Sequence, residues 1–108
     1  MQVLEYLDST GRSPFRHWFD GLNAQAAAKI TIGLTRLHGA NLSNVKSVGG
    51  GVLEYRVDFG PGYRIYLGRD GNTVIILLGG GTKKGQQRDI AVAQARWAHY
   101  KRRKKGHV

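Results

Sequence analysis

Apolar and polar positions change their period several times along this chain. Val3–Leu7 is a short apolar run closed by Asp8-Ser9-Thr10-Gly11, which predicts a strand and a turn. Ser13-Pro14 supplies an N-cap and a first-turn proline. Phe15, Trp18, Phe19 and Leu22 recur at helical spacing, so a short helix is predicted from about residue 14 to 21. Asn23 can cap a second helix, whose buried stripe is Ala27, Ile30, Leu34 and Leu37 and which ends near His38-Gly39. So short a connection makes the two helices a hairpin.

From Val52 the period becomes two. Leu53, Tyr55, Val57 and Phe59 alternate with Glu54, Arg56 and Asp58. Gly60-Pro61-Gly62 reads as a turn, and Tyr63, Ile65 and Leu67 then alternate with Arg64 and Tyr66. This is a β-hairpin with one apolar and one polar face. Asp70-Gly71 marks a second hairpin turn, and Val74–Leu78 is a continuous apolar run, as expected of a central strand covered on both sides. Gly79-Gly80-Gly81 is expected to end it. A last helix is predicted from about Gln86, with Ile90, Ala93, Trp97 and Tyr100 on one face, its far end dissolving into Lys101–Lys105. The order β-α-α-β-β-β-α describes an α+β domain with a mostly antiparallel sheet. Its 108 residues form a single domain, 1–108, with a basic tail at 101–108.

Charge adds the main functional clue. The chain is formally +10, with 17 Lys+Arg against 7 Asp+Glu. Residues 1–82 hold 8 basic and 6 acidic side chains, whereas residues 83–108 hold 9 basic and one acidic. A field concentrated in one segment attracts polyanions and weakens with salt. RNA or DNA is the first partner to consider, a membrane surface the second and an acidic protein the third. There is no cysteine, so disulfide and thiolate chemistry is excluded. His17, His38, His99 and His107 lack ligand-like spacing, so no metal is expected. The first residues lack the basic-then-apolar pattern of a signal peptide, and no apolar run approaches the roughly 20 residues of a membrane span. A cytoplasmic protein without a membrane partner fits these features.

The polar face of the hairpin carries the candidate chemistry. With residues 60–62 as the turn, Phe59 faces Tyr63, Asp58 faces Arg64 and Arg56 faces Tyr66. Two guanidinium groups, a carboxylate and a phenol then share one patch. Guanidinium groups bind phosphate through forked hydrogen bonds and can stabilise the added charge of a phosphoryl transition state. An ordinary solvated sheet face with an Arg–Asp pair is the bland alternative. Gly79–Gly85 does not match a Walker loop, but it presents Lys83 and Lys84 at a flexible strand end. The run Lys101–Lys105 can be a solvated tail or a non-specific RNA contact. Trp18, Trp97, Phe15 and Phe19 fall on helical stripes and are expected in the core rather than as stacking platforms.

Three stretches, GRSPFRHWFDGLN, NLSNVKSVGGGVLEYRVDFGPGYRIYLGRDG and VIILLGGGTKKGQQRDIAVAQARWAHYKRRK, together cover nearly the whole length. In this order the chain resembles the RelE/ParE superfamily of type II toxin–antitoxin toxins, in its HigB-like addiction module killer branch. The resemblance implies a helical hairpin packed on a small twisted sheet with a closing helix. It also implies an activity: entry into the ribosomal A site and metal-independent, cofactor-free cleavage of messenger RNA. In that reaction the ribose 2′-hydroxyl attacks the neighbouring phosphate and leaves a 2′,3′-cyclic phosphate or its hydrolysed form.

By position, Arg64 matches the family's phosphate-binding arginine, Arg56 a basic residue on the preceding strand, and Lys83 and Lys84 a further basic position. With Tyr66, these are the catalytic candidates. Lys46, Arg88, Lys101, Arg102 and Arg103 are the candidate RNA-backbone contacts. A tyrosine near the start of the family's last helix is replaced by Gln87-Arg88-Asp89-Ile90, and a basic hairpin position is Asp58 here. The acid–base role therefore stays open between Tyr66, Asp89 and the lysines. The partners implied are a small helix-turn-helix antitoxin, the ribosome and its message, and operator DNA only through the antitoxin complex. A ParE-like inhibitor of DNA gyrase and a non-enzymatic nucleic-acid-binding module are the alternatives, since one fold serves several functions.

Overall fold

A computed structural model describes residues 1–106; the last two positions of the basic tail, His107 and Val108, lie outside the described residues. Five strands, β1 (Gln2–Glu5), β2 (Val45–Gly49), β3 (Val52–Val57), β4 (Tyr63–Asp70) and β5 (Val74–Thr82), form one sheet in the order β1-β5-β4-β3-β2. Every pairing is antiparallel except β1 on β5, which is parallel. Three helices, α1 (Pro14–Asp20), α2 (Ala24–His38) and α3 (Gln86–Lys105), complete the fold. The expected α+β architecture is present, with one strand more than the sequence pattern marked. That strand, β2, was hidden because Val45-Lys46-Ser47-Val48-Gly49 has only two apolar positions and turns into β3 through three glycines of positive φ.

The helices begin where side chains can satisfy their free amides. Ser13 accepts from the Arg16 amide at 3.0 Å and Asn23 from the Ala26 amide at 2.8 Å. The α1–α2 hairpin covers one face of the sheet with Phe15, Ala26, Ile30 and Leu37, packed on Tyr55, Tyr63, Ile65, Leu67, Ile75 and Leu77. The other face is covered by α3, through Ala93 and Trp97 on Tyr6, Val52, Tyr66, Ile76 and Leu78. Trp97 and Phe15 are core residues as expected, whereas Trp18 and Phe19 are only partly buried.

Two boundaries differ from the sequence reading. The glycines 79–81 do not end β5 but lie inside it, and β4, not β5, is the central strand. Both helical layers press on those glycines. A Cβ at Gly80 would stand 2.3 Å from the Trp18 indole, and one at Gly81 would stand 2.1 Å from Asp89 Oδ2. A one-residue irregularity opposite Tyr66/Leu67 leaves Leu78 unpaired in the ladder, and its carbonyl accepts from Arg96 Nη1 at 2.9 Å. The second difference is that α3 does not dissolve at Lys101 but continues to Lys105. Lys104 pairs with Asp70, Lys101 lies over the Trp97 ring and Arg103 over the Tyr6 ring, which holds these turns on the domain.

Candidate functional site

The hairpin register differs from the expected one by two residues. Phe59 N–H donates to the Val57 carbonyl and Gly62 N–H to the Phe59 carbonyl, so the loop spans residues 58–62 and not 60–62. The ladder therefore closes on Val57/Tyr63, Arg56 faces Arg64, and Glu54 faces Tyr66. Because the shift is even, the polar face stays polar, but its carboxylate changes. Asp58 drops into the exposed loop, and Glu54 takes its place.

Glu54 is wholly buried, and three strands aim cations at it. Arg64 Nε of β4 lies 3.7 Å from its Oε1, Lys46 Nζ of β2 3.9 Å, and Arg56 Nε of β3 4.0 Å. Gln86, the first residue of α3, donates to its other oxygen at 2.7 Å. Arg64 is only 2% exposed, whereas the Lys46 and Arg56 side chains are about half exposed, at 52% and 48%. Arg64 Nη1 also donates to the Tyr63 carbonyl at 3.2 Å. Among the described residues, three buried polar atoms, Glu54 Oε1, Arg64 Nε and Tyr66 Oη, have no hydrogen-bond partner. A buried polar cluster left open in this way is costly, and such clusters concentrate at functional sites.

The environment decides what Tyr66 can do. Burial first, and then the negative charges of Glu54 and Asp89, raise its hydroxyl well above the ordinary tyrosine range. It stays protonated at neutral pH, so it can donate a hydrogen bond but cannot act as a base. Asp89 is likewise raised by burial, against the opposing pull of Arg88 and Arg96. Among the described residues its carboxylate enters none of the ion pairs.

Lys83 stands at the edge of this cluster. Its amide donates to the Gly62 carbonyl at 2.9 Å, and a Cβ at Gly62 would lie 3.3 Å from Arg64 Nη1 and 3.7 Å from Lys83 Cβ. Lys83 opens a short 3-10 turn, Lys83–Gly85, and α3 follows with Gly85 as its N-cap and no side-chain cap. The Gln86 amide donates to the Lys83 carbonyl, and the first turn of α3, with the positive end of its dipole, borders a groove lined by Trp18, Gly81, Lys83, Lys84, Arg88 and Asp89. The groove is open to solvent and has a volume of about 830 Å³. Lys46, Arg56, Arg64, Tyr66, Lys83, Lys84 and Arg88 thus converge on one sheet face and its border. Lys101, Arg102 and Arg103 do not: at ~1.5 Å per residue they lie roughly 20 Å or more along α3 from Arg88.

Sequence reasoning overlooked Glu54 as a site residue, and also Gln86, Trp18 and Arg96. For Glu54 the signal was present, since it alternates in phase with Arg56. Only the assumed turn length hid its position.

An α+β domain with a cationic groove at the start of its last helix is the class that fold and site define. No family model matches the chain. It is 42% identical over 81 residues to an uncharacterized protein of Haemophilus influenzae (strain ATCC 51907 / DSM 11121 / KW20 / Rd), covering 74% of this chain and 82% of that protein. The chain belongs to one family with that protein. Among the described residues, no helix is long and apolar enough to cross a membrane.

Proposed function

We propose that this protein is the toxin of a type II toxin–antitoxin pair and inhibits translation by cutting messenger RNA on the ribosome without a metal. The observation that carries the reading is the convergence of Lys46, Arg56 and Arg64, from three adjacent strands, beside Lys83 and the uncapped start of α3. This is the arrangement that phosphodiester cleavage by an internal nucleophile needs. The 2′-oxygen forms a bond to phosphorus, the 5′-oxygen leaves, and the extra negative charge in the transition state is met by fixed cations. Arg56, Lys83 and Lys84, exposed at the rim, bind the phosphate; Arg64, beneath them, adds positive potential in a medium of low dielectric. Tyr66 serves as a hydrogen-bond donor. The antitoxin in this reading is a small helix-turn-helix protein that covers the basic face.

The test is a reconstituted translation reaction on a defined message, read by primer extension with and without ribosomes. Arg56→Ala is the informative variant, because its half-exposed side chain can be removed without stripping a buried charge. Ribosome-dependent cuts by the wild type that weaken strongly in Arg56→Ala and in Lys83→Ala are expected. Intact messages in every lane would end this reading. A second reading, a non-enzymatic nucleic-acid-binding module, draws on the cations of Lys101–Lys105, which stand apart from the groove. It requires RNA binding without cleavage.

A further inference from the structure

Beside the cationic groove lies a smaller cavity of about 270 Å³, between α1, the glycine stretch of β5 and the first turns of α3. Its walls include His17, Trp18, Tyr66, Gly80, Asp89 and Arg96. The volume is large enough to admit one nucleobase.

The lining is built rather than incidental. Trp18 is pressed flat on Gly80, where no side chain would fit, and so offers a fixed aromatic wall. The Tyr66 hydroxyl is buried without a partner. The Asp89 carboxylate lies over Gly81 and is desolvated without a countercharge in contact. Arg96 is anchored through Nη1 on the Leu78 carbonyl, which fixes its guanidinium at the cavity wall. On one side β5 has no neighbour beyond Leu77, because β1 pairs only with Val74–Leu77. The stretch Gly79–Gly81 thus has no strand partner on that side, and side chains of α1 and α3 cover it: Trp18 at Gly80, Asp89 at Gly81 and Arg96 at Gly79.

We propose that this cavity receives one unstacked guanine of single-stranded RNA, read by Asp89 and Arg96 and held against Trp18. Guanine is the base with two adjacent donors, N1–H and the 2-amino group, matched to a carboxylate. It also carries the O6 and N7 acceptors matched to a guanidinium. Bases splayed from a single strand are commonly held in this way, between an aromatic wall and hydrogen-bonding side chains. The cation-lined groove next to the cavity, with Lys83, Lys84 and Arg88, then carries the neighbouring phosphates. The assignment deepens the nuclease reading and rests on it for the identity of the polymer, but base binding is measured without a ribosome.

The experiment titrates the isotope-labelled protein with the four 5′-mononucleotides and with inorganic phosphate, following backbone amides and the two indole N–H signals by NMR. Guanosine monophosphate should shift the Trp18 indole and the Gly80 and Asp89 amides. It should bind about five- to a hundredfold more tightly than the other three. Asp89→Asn should abolish that preference without weakening the response to phosphate, since it removes a negative charge from the wall of the groove. The variant removes a desolvated charge, so its fold should hold, and an unmoved Trp97 indole signal checks this. Equal binding of all four nucleotides, shifts reproduced by phosphate alone, or a preference that survives Asp89→Asn would each overturn the assignment. Guanosine binding in a protein that leaves messages uncut would overturn the nuclease reading and keep this one.

Discussion

Replacing Glu54 by alanine should destabilise the domain far more than a polar substitution on a sheet normally does. The carboxylate is wholly buried and faces Arg64 at 3.7 Å, whose side chain is only 3% exposed. At that separation and an effective dielectric of ~20, the attraction lost is about 4–5 kcal/mol. Lys46 and Arg56, at 3.9 and 4.0 Å but half in water, add at most about 1 kcal/mol each. Removing one member of a buried pair typically costs about 3–5 kcal/mol, because the other charge is stranded. Against a total stability of about 5–15 kcal/mol, that is a loss on the order of 15–30 °C in Tm. Glu54→Gln keeps the volume and an acceptor for Gln86 and should lie between the two. The double variant Glu54→Leu/Arg64→Met removes both charges and should recover most of the loss. Urea denaturation of the four proteins measures this directly. A Glu54→Ala protein within about 0.5 kcal/mol of wild type, or a double variant no more stable than Glu54→Ala, would refute the hub.

Other outcomes follow from the same geometry. Hydrogen bonds, first from Lys104 and then from Tyr100, hold the Asp70 carboxyl below the ordinary aspartate range, and Arg16 does the same for Glu5. Lowered values in the folded state contribute stability above the unfolded pKa of about 4 that is lost as pH falls through and below it. In thermal melts from neutral to acid pH, the gap between wild type and Asp70→Asn should therefore be widest near neutrality and close below about pH 4. Gly80→Ala forces a Cβ to within 2.3 Å of the Trp18 ring and should cost about 1–3 kcal/mol or more in a thermal melt. Gly71→Ala meets no atom within 4 Å, so it should cost only its backbone strain at φ +73°, about 1 kcal/mol. Fluorescence anisotropy with a short single-stranded RNA should show a salt slope that falls by ~0.7 for each of Lys83→Ala and Lys84→Ala, provided each contacts one phosphate.

The two helices of the hairpin could be read from the capping residues Ser13 and Asn23 and their apolar stripes, and α3, which has no side-chain cap, from its stripe alone. The two faces of β3 and β4 could also be read, because alternation survives an even error in register. The register itself could not: it depends on how the chain crosses residues 58–62, and Gly60-Pro61-Gly62 fits a short turn as well as the middle of a longer one. The glycines of β5 were misleading for a related reason. In isolation they look like a strand end; in the fold, contact from both helical layers is what requires them. Of the candidate site, the cations were evident from residue type. The acidic hub at Glu54 and the cavity at Asp89 depend on packing between elements far apart in sequence.

The parallel pairing of β1 sets the order in which the molecule can be finished as it is made. Gln2 pairs with Val74, 72 residues later in the chain. At about 5–20 residues per second the partner follows roughly 4–14 s after the strand that needs it. Through that interval the first strand has no ladder, and Tyr6 lacks the core formed with α3. Gln86, the residue of α3 that donates to Glu54, is made later still. The cationic groove therefore comes into being only once nearly the whole domain has left the ribosome, so a nascent chain lacks the assembled groove for most of its synthesis.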